Sequence, residues 1–148
     1  MFDTVLLPID LSQETSWSAA LPAALRLVEP EGVLHVVTVV PDYGLSIVGG
    51  YFDRGHEKKL LQDVGRKLAE WVEANLPDEV EVHPHVLHGR VYEEIISAAN
   101  RLEAQAIVLA SHDPALSDYL IGPNAARVVR HARQSVFVVR DYKGKARR

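Results

Sequence analysis

Eight residues limit the fold of this chain more than any others: the run 33–40, Val-Leu-His-Val-Val-Thr-Val-Val. A strand with one wet face alternates apolar and polar residues. A near-unbroken β-branched run is what a strand needs when both of its faces are covered, and that situation belongs to parallel sheets sandwiched between helices. The run therefore predicts a buried strand near the middle of such a sheet. Parallel neighbours need long crossovers, so helical segments must alternate with strands along the rest of the chain.

They do. Phe-Asp-Thr-Val-Leu-Leu-Pro-Ile at 2–9 is too short for a helix and ends in the turn signal Asp10-Leu11-Ser12, which marks a first strand. From Ser12 or Thr15, apolar residues Trp17, Ala20, Leu21, Ala24, Leu25 and Val28 recur at helical spacing until Glu29-Pro30-Glu31-Gly32 stops them. Pro22 inside this pattern forces the helix to start late or to kink. A second helix carries Leu60, Leu61, Val64, Leu68, Trp71 and Val72 and ends near Asn75-Leu76-Pro77. Residues 80–86 read as a third strand, held to the sheet edge by Pro84, which has no N–H for a ladder. Gly89-Arg90-Val91 leads into a helix with Tyr92, Ile95, Ile96 and Ala99 on one face. A fourth strand follows at 106–110, a short helix from about Pro123 to Arg133, and a fifth strand at 135–139. Five strands separated by helices predict one doubly wound, Rossmann-like α/β domain with right-handed crossovers, occupying 1–141.

Composition narrows the function classes. Without cysteine, disulfide scaffolds, thiolate metal sites and thiol nucleophiles are excluded. No run approaches a membrane span, and the N-terminus lacks the basic and apolar regions of a signal peptide, so a cytoplasmic protein is expected. The net charge of −4 conceals an acidic body and a basic tail. Lys143, Lys145, Arg147 and Arg148 supply four of the sixteen basic groups, leaving 12 against 20 acids, or −8, before them. Residues 142–148 are expected to be a solvated end, and no nucleic-acid partner is expected.

In a doubly wound sheet, ligands bind beyond the carboxyl ends of the strands. Asp10 stands there, placed either to accept hydrogen bonds from ribose hydroxyls or a base, or to join Ser12 in capping the first helix. After the fourth strand come Ala110-Ser111-His112-Asp113, and Gly122-Pro123-Asn124-Ala125 then opens a helix whose backbone N–H groups suit phosphate oxygens. Proline at the first helical position also starts helices that bind nothing. The loop 41–55, with four glycines and three aromatics, reads either as a plain loop or as a lid. Walker, dinucleotide-fingerprint, nucleophile-elbow and zincin motifs are absent. Ser111, His112 and Asp113 are consecutive and point apart, so they make no triad. His83, His85 and His88 lack a fixed third ligand, and a partly solvated edge strand is expected in place of a metal site. Arg127, Arg130 and Arg133 are expected to be solvated.

Taken in order, Val5-Leu-Leu-Pro-Ile-Asp10 with Ser12, Thr38-Val39-Val40-Pro41, His88-Gly89-Arg90, Ile107-Val-Leu-Ala-Ser-His112 and Tyr119-Leu-Ile-Gly-Pro-Asn-Ala-Ala-Arg-Val-Val-Arg-His-Ala132 before Val136-Phe-Val-Val-Arg140 resemble the universal stress protein family. The similarity is greatest to its small bacterial F/G-type branch. The resemblance implies a strand order of 3-2-1-4-5, in the manner of the adenine nucleotide alpha hydrolase-like folds. It implies ATP or AMP, with or without Mg²⁺, and at most slow hydrolysis. Asp10 and the Val39 backbone would hold adenosine and Pro8 and Ile9 would wall the base. Gly89, Ala110, Ser111, His112, Gly122, Pro123, Asn124 and Ala125 would surround ribose and phosphates. It further implies a homodimer, or a tetramer built from it, joined through Val136, Phe137, Val138 and Val139.

The family's phosphate stretch, G-x-x-G-x9-G-[ST], is altered here. Ala110 and Asp113 replace two glycines and Pro123 replaces the hydroxyl residue, crowding backbone approach and removing an N–H. Those changes motivate the alternative, a dimeric interaction module that binds no nucleotide.

Overall fold

The computed structural model describes residues 1–41, 54–111 and 121–141. The expected alternation is present. β1 (Phe2–Pro8) leads through a 3-10 turn at Glu14–Ser16 into α1 (Ala20–Leu27) and then β2 (Val28–Pro41). After it come α2 (Arg54–Asn75), β3 (Glu81–Gly89), α3 (Val91–Arg101), β4 (Ala106–Ala110), α4 (Ile121–His131) and β5 (Ser135–Val139). The sheet order is β3-β2-β1-β4-β5 with every pairing parallel. Among the described residues no helix is long and apolar enough to cross a membrane.

Period-two alternation splits the core into two layers. Val5 and Leu7 of β1, Leu34 and Val36 of β2, and Ala106 and Val108 of β4 face α1 and α2, where they meet Ala20, Ala24, Leu68 and Trp71. Leu6, Val37, Ile107 and Leu109 face the other way, toward Ile95, Ala98 and Ala99 of α3 and Val128 of α4. Successive residues thus serve opposite layers, which is why apolar residues run nearly unbroken through the buried parts of these strands. The middle of the sheet is β1, with the valine-rich β2 beside it. Pro84 sits in β3 at the edge, as its missing N–H requires.

Several element boundaries differ from the sequence reading. The first helix does not begin at Ser12 or Thr15: only a 3-10 turn forms there, and α1 starts at Ala20, which puts Pro22 in the first turn, where a helix needs no N–H from it. Arg54 and Gly55 are helical and not part of the loop. α4 begins at Ile121, so Pro123 is its third residue and not its first. β2 begins at Val28, five residues early. Phe2 pairs with Val28 and Thr4 with Val33, so β2 advances five residues while β1 advances two, and Glu29-Pro30-Glu31-Gly32 is accommodated as a bulge within the ladder.

Gly32 makes that bulge possible. A Cβ there would stand 2.6 Å from the Asp3 carbonyl oxygen and 2.9 Å from a Val28 methyl. Backbone cannot yield as a flexible side chain can. Gly32→Ala is therefore expected to destabilise the fold by about 2 kcal/mol and to lower the melting temperature by about 4–8 °C, measured by circular dichroism. An unchanged melting temperature would show that the bulge has room to relax.

Candidate functional site

β1 ends in a rigid corner. The Ile9 N–H donates to the Val37 carbonyl (2.8 Å), extending the ladder one residue and burying Ile9. The chain then turns on Asp10. Its N–H donates to Ser16 Oγ (2.8 Å), its carbonyl accepts from the Gln13 N–H (3.0 Å) and the Ser16 hydroxyl (3.0 Å), and Ser16 is itself fully buried. Asp10 Oδ1 accepts from the Ser12 N–H (3.0 Å) and the Ser12 hydroxyl (2.6 Å). This is an Asx turn, so Asp10 closes the corner and does not cap α1, whose N-cap is Ala19. Oδ2 has no partner among the described residues. The carboxylate is thus held by one oxygen and presents the other.

Beside it lies a cavity of about 280 Å³ at the carboxyl ends of β1, β2 and β4. Pro8, Ile9, Val39 and Pro41 form one wall, Val91 and Ile95 of α3 another, and Leu109 and Ala110 the end of β4. Asp10, Ser12 and Asn124 are the polar side chains in the lining, and Ala125 completes it from the first turn of α4. A narrow apolar slot with one carboxylate, one hydroxyl and one amide suits a flat heterocycle bearing hydroxyl groups. The first turn of α4 also leaves backbone N–H groups without helical partners, the usual seat of an anion, although Pro123 removes one of them.

Seven of the residues picked out from the sequence meet here: Pro8, Ile9, Asp10, Val39, Ala110, Asn124 and Ala125. Gly122 and Pro123 stand in the opening turn of α4, with Pro123 exposed. Gly89 lies outside the lining. It ends β3 opposite Pro41 at φ 141°, a conformation that L side chains rarely adopt, and it admits the Glu94 side chain closely. The Ser111 N–H is committed to the Val139 carbonyl (2.7 Å), which ties the exit of β4 to β5. His112 lies outside the described residues, as do Asp113, nearly all of the loop after β2 and the basic tail 142–148.

Sequence reasoning missed Pro41, Val91, Ile95 and Leu109 as lining residues and took Ser12 only as a cap. A signal existed for two of them. Val91 and Ile95 are an i, i+4 apolar pair immediately after a glycine turn at the carboxyl edge, the place where one helical stripe covers both core and crevice.

The three histidines considered for a metal are divided. His83 and His85 share a face of β3, whereas His88 is turned toward α2, with its Nδ1 3.4 Å from Glu57 Oε1. Among the described residues no group of three or more potential ligands is arranged to hold a metal ion. Arg127 is not simply solvated, since its guanidinium lies over the Tyr92 ring at 5.1 Å and joins α4 to α3.

Comparison with known proteins gives a consistent result. The sequence profile of the universal stress protein family matches residues 1–140. Universal stress protein G of Escherichia coli O157:H7 is 32% identical over 142 residues, which covers 95% of this chain and 100% of that protein. A universal stress protein family member from Burkholderia pseudomallei superposes with a TM-score of 0.67 at 25% identity over 93% of this chain and 95% of that one. The same fold occurs in a universal stress protein solved in complex with cAMP (TM-score 0.59, 16% identity, 95% of this chain and 98% of that one). It occurs also in one from Archaeoglobus fulgidus in complex with dAMP (TM-score 0.52, 18% identity, 92% and 96%).

Proposed function

Because the chain belongs to the universal stress protein family, we propose that it is a cytoplasmic stress-response protein that binds an adenine nucleotide, ATP or AMP, in the cavity beside Asp10. The observation that carries this reading is the pairing of a half-committed carboxylate with an apolar slot of nucleoside size. Asp10 Oδ2 would accept from ribose hydroxyls, Pro8, Ile9 and Val39 would cover the faces of the base, and the first turn of α4 would meet the phosphate. The complexes of relatives with cAMP and dAMP support adenine as the base. Asp10 is the single ionisable side chain among the described lining residues. Mg²⁺ would therefore arrive on the phosphates, and hydrolysis would be slow at most, since the described lining residues offer no second ionisable group to act as base.

Isothermal titration calorimetry with AMP and with ATP, each with and without Mg²⁺, tests the reading. A dissociation constant at or below about 0.1 mM, about −5.5 kcal/mol, is the expected result for at least one of them. Silence from both at about 0.1 mM protein would overturn it.

We propose further that the chain forms a homodimer through β5. Among the described residues β5 pairs only with β4, and its outer side presents Val138 at 39% exposure. An apolar edge of this kind calls for a partner strand. Sedimentation velocity at about 10 µM is expected to show a dimer that Val138→Lys converts to monomer; a monomeric wild type would contradict it. If the dimer persists while calorimetry is silent and the purified protein carries no nucleotide by native mass spectrometry, the interaction-module reading is the one left standing.

A further inference from the structure

Away from the cavity, three imidazoles collect where β2 meets the edge strand. His35 pairs in register with His83, and His85 follows two residues later on the same face. His35 Nδ1 lies 2.9 Å from His85 Nε2, a hydrogen bond, and the His35 ring centroid is 5.3 Å from that of His83 and 5.1 Å from that of His85. His35 is buried, at 8% exposure, whereas His83 is open to solvent with Nε2 3.5 Å from Glu81 Oε2. Between the apolar residues of the β2–β3 ladder, this is a side-chain link that depends on proton count. Two neutral rings share one N–H and one lone pair. A first added proton still leaves a donor facing an acceptor, but a second sets N–H against N–H in a partly buried space.

We propose that the His35–His85 contact is an acid-labile clasp that holds the edge strand β3 to β2 and releases it when protons are taken up. β3 is an edge strand. Among the described residues it pairs with β2 alone, and its pairing with Val39 and Pro41 runs up to the rim of the cavity. The groups facing the clasp mostly oppose protonation. Burial first, then His85 and His83, hold His35 well down from 6.5, to about 4, with only Glu81 acting in the other direction. Burial, then His83, then Arg101 in the last turn of α3, lower His85. In a released strand both rings return to the ordinary value near 6.5.

The sign follows from linkage. The released state binds more protons than the closed one between pH 6.5 and about 4, so closure is fully favoured above pH 6.5 and is progressively lost as the pH falls toward 4. From His35 alone, the opening equilibrium at pH 5 would rise by at most about thirtyfold over that at pH 7.5, and by on the order of tenfold once residual hydration of the rings is allowed for.

Hydrogen exchange by mass spectrometry on the full chain, expressed as protection factors at pH 7.5 and 5.0, reads this strand by strand. Protection in a peptide spanning 80–89 is expected to fall about tenfold or more, while a peptide spanning 106–110 changes less than about threefold. His35→Phe, which fills the same space without titrating, is expected to remove the difference. His85→Gln serves the same comparison if His35→Phe does not fold. An equal loss in both peptides, no loss in 80–89, or an undiminished pH effect in a folded variant would overturn the proposal.

Discussion

Asp10→Asn is expected to weaken AMP binding by about tenfold to a hundredfold while shifting the melting temperature by no more than about 2 °C. The substitution separates the two jobs of the side chain. An asparagine Oδ1 still accepts from the Ser12 N–H and hydroxyl, so the corner after β1 keeps its shape. What is lost is the negative charge and the second carboxylate oxygen, whose place is taken by an amide NH₂ that donates where an oxygen would accept. A hydrogen bond to a charged group contributes about 1.5–3 kcal/mol, and each 1.4 kcal/mol is tenfold in affinity. Asp10→Ala removes both functions and should lower affinity and stability together. Calorimetry and thermal unfolding on the same two variants read the split. Full affinity in Asp10→Asn would remove Asp10 from the proposed contact.

The largest effect on stability is expected from Leu6→Ala. Leu6 lies in the middle strand, fully buried, and packs in the layer formed with Val37, Ile107 and the helices α3 and α4. Strands on both sides leave the vacated space little means of collapsing. A loss of about 3–4 kcal/mol follows from the lost transfer energy and the cavity left behind, equivalent to a fall of about 10 °C in melting temperature. Val129→Ala is the control, since Val129 is 52% exposed and its truncation should cost less than about 0.5 kcal/mol. If the two variants melt alike, the two-layer account of the core is wrong.

The β-branched run at 33–40 and the edge-forcing Pro84 made the parallel sheet legible, because both signals arise from the ladder itself. The strand at 106–110 was readable to the residue, since every position in it is buried and the flanking residues are not. Val28 as the start of β2 was not readable. Glu29-Pro30-Glu31-Gly32 has the composition of a turn, and only its pairing against Phe2 and Thr4 turns it into a bulge. Likewise the late start of α1 was signalled by Pro22, but the buried Ser16 hydroxyl that organises the preceding corner gave no sign in its spacing.

The site divides along the same line. Asp10, Val39 and Ala110 were found because they sit at strand ends, a place fixed by topology. Val91, Ile95 and Leu109 were missed as lining residues because an apolar side chain in a crevice and one in the core look alike in sequence. The meeting of His35 with His85 needed the register of two strands 50 residues apart, which no local pattern encodes.

A titration of ¹⁵N-labelled protein with AMP, followed residue by residue in amide spectra, addresses the central claim most directly. The account predicts saturable shifts at Ile9, Asp10, Val39, Ala110 and Ala125, with the opposite end of the sheet, at Gln105 and Ser135, unmoved. Shifts confined to that opposite end, or none at millimolar AMP, would contradict it.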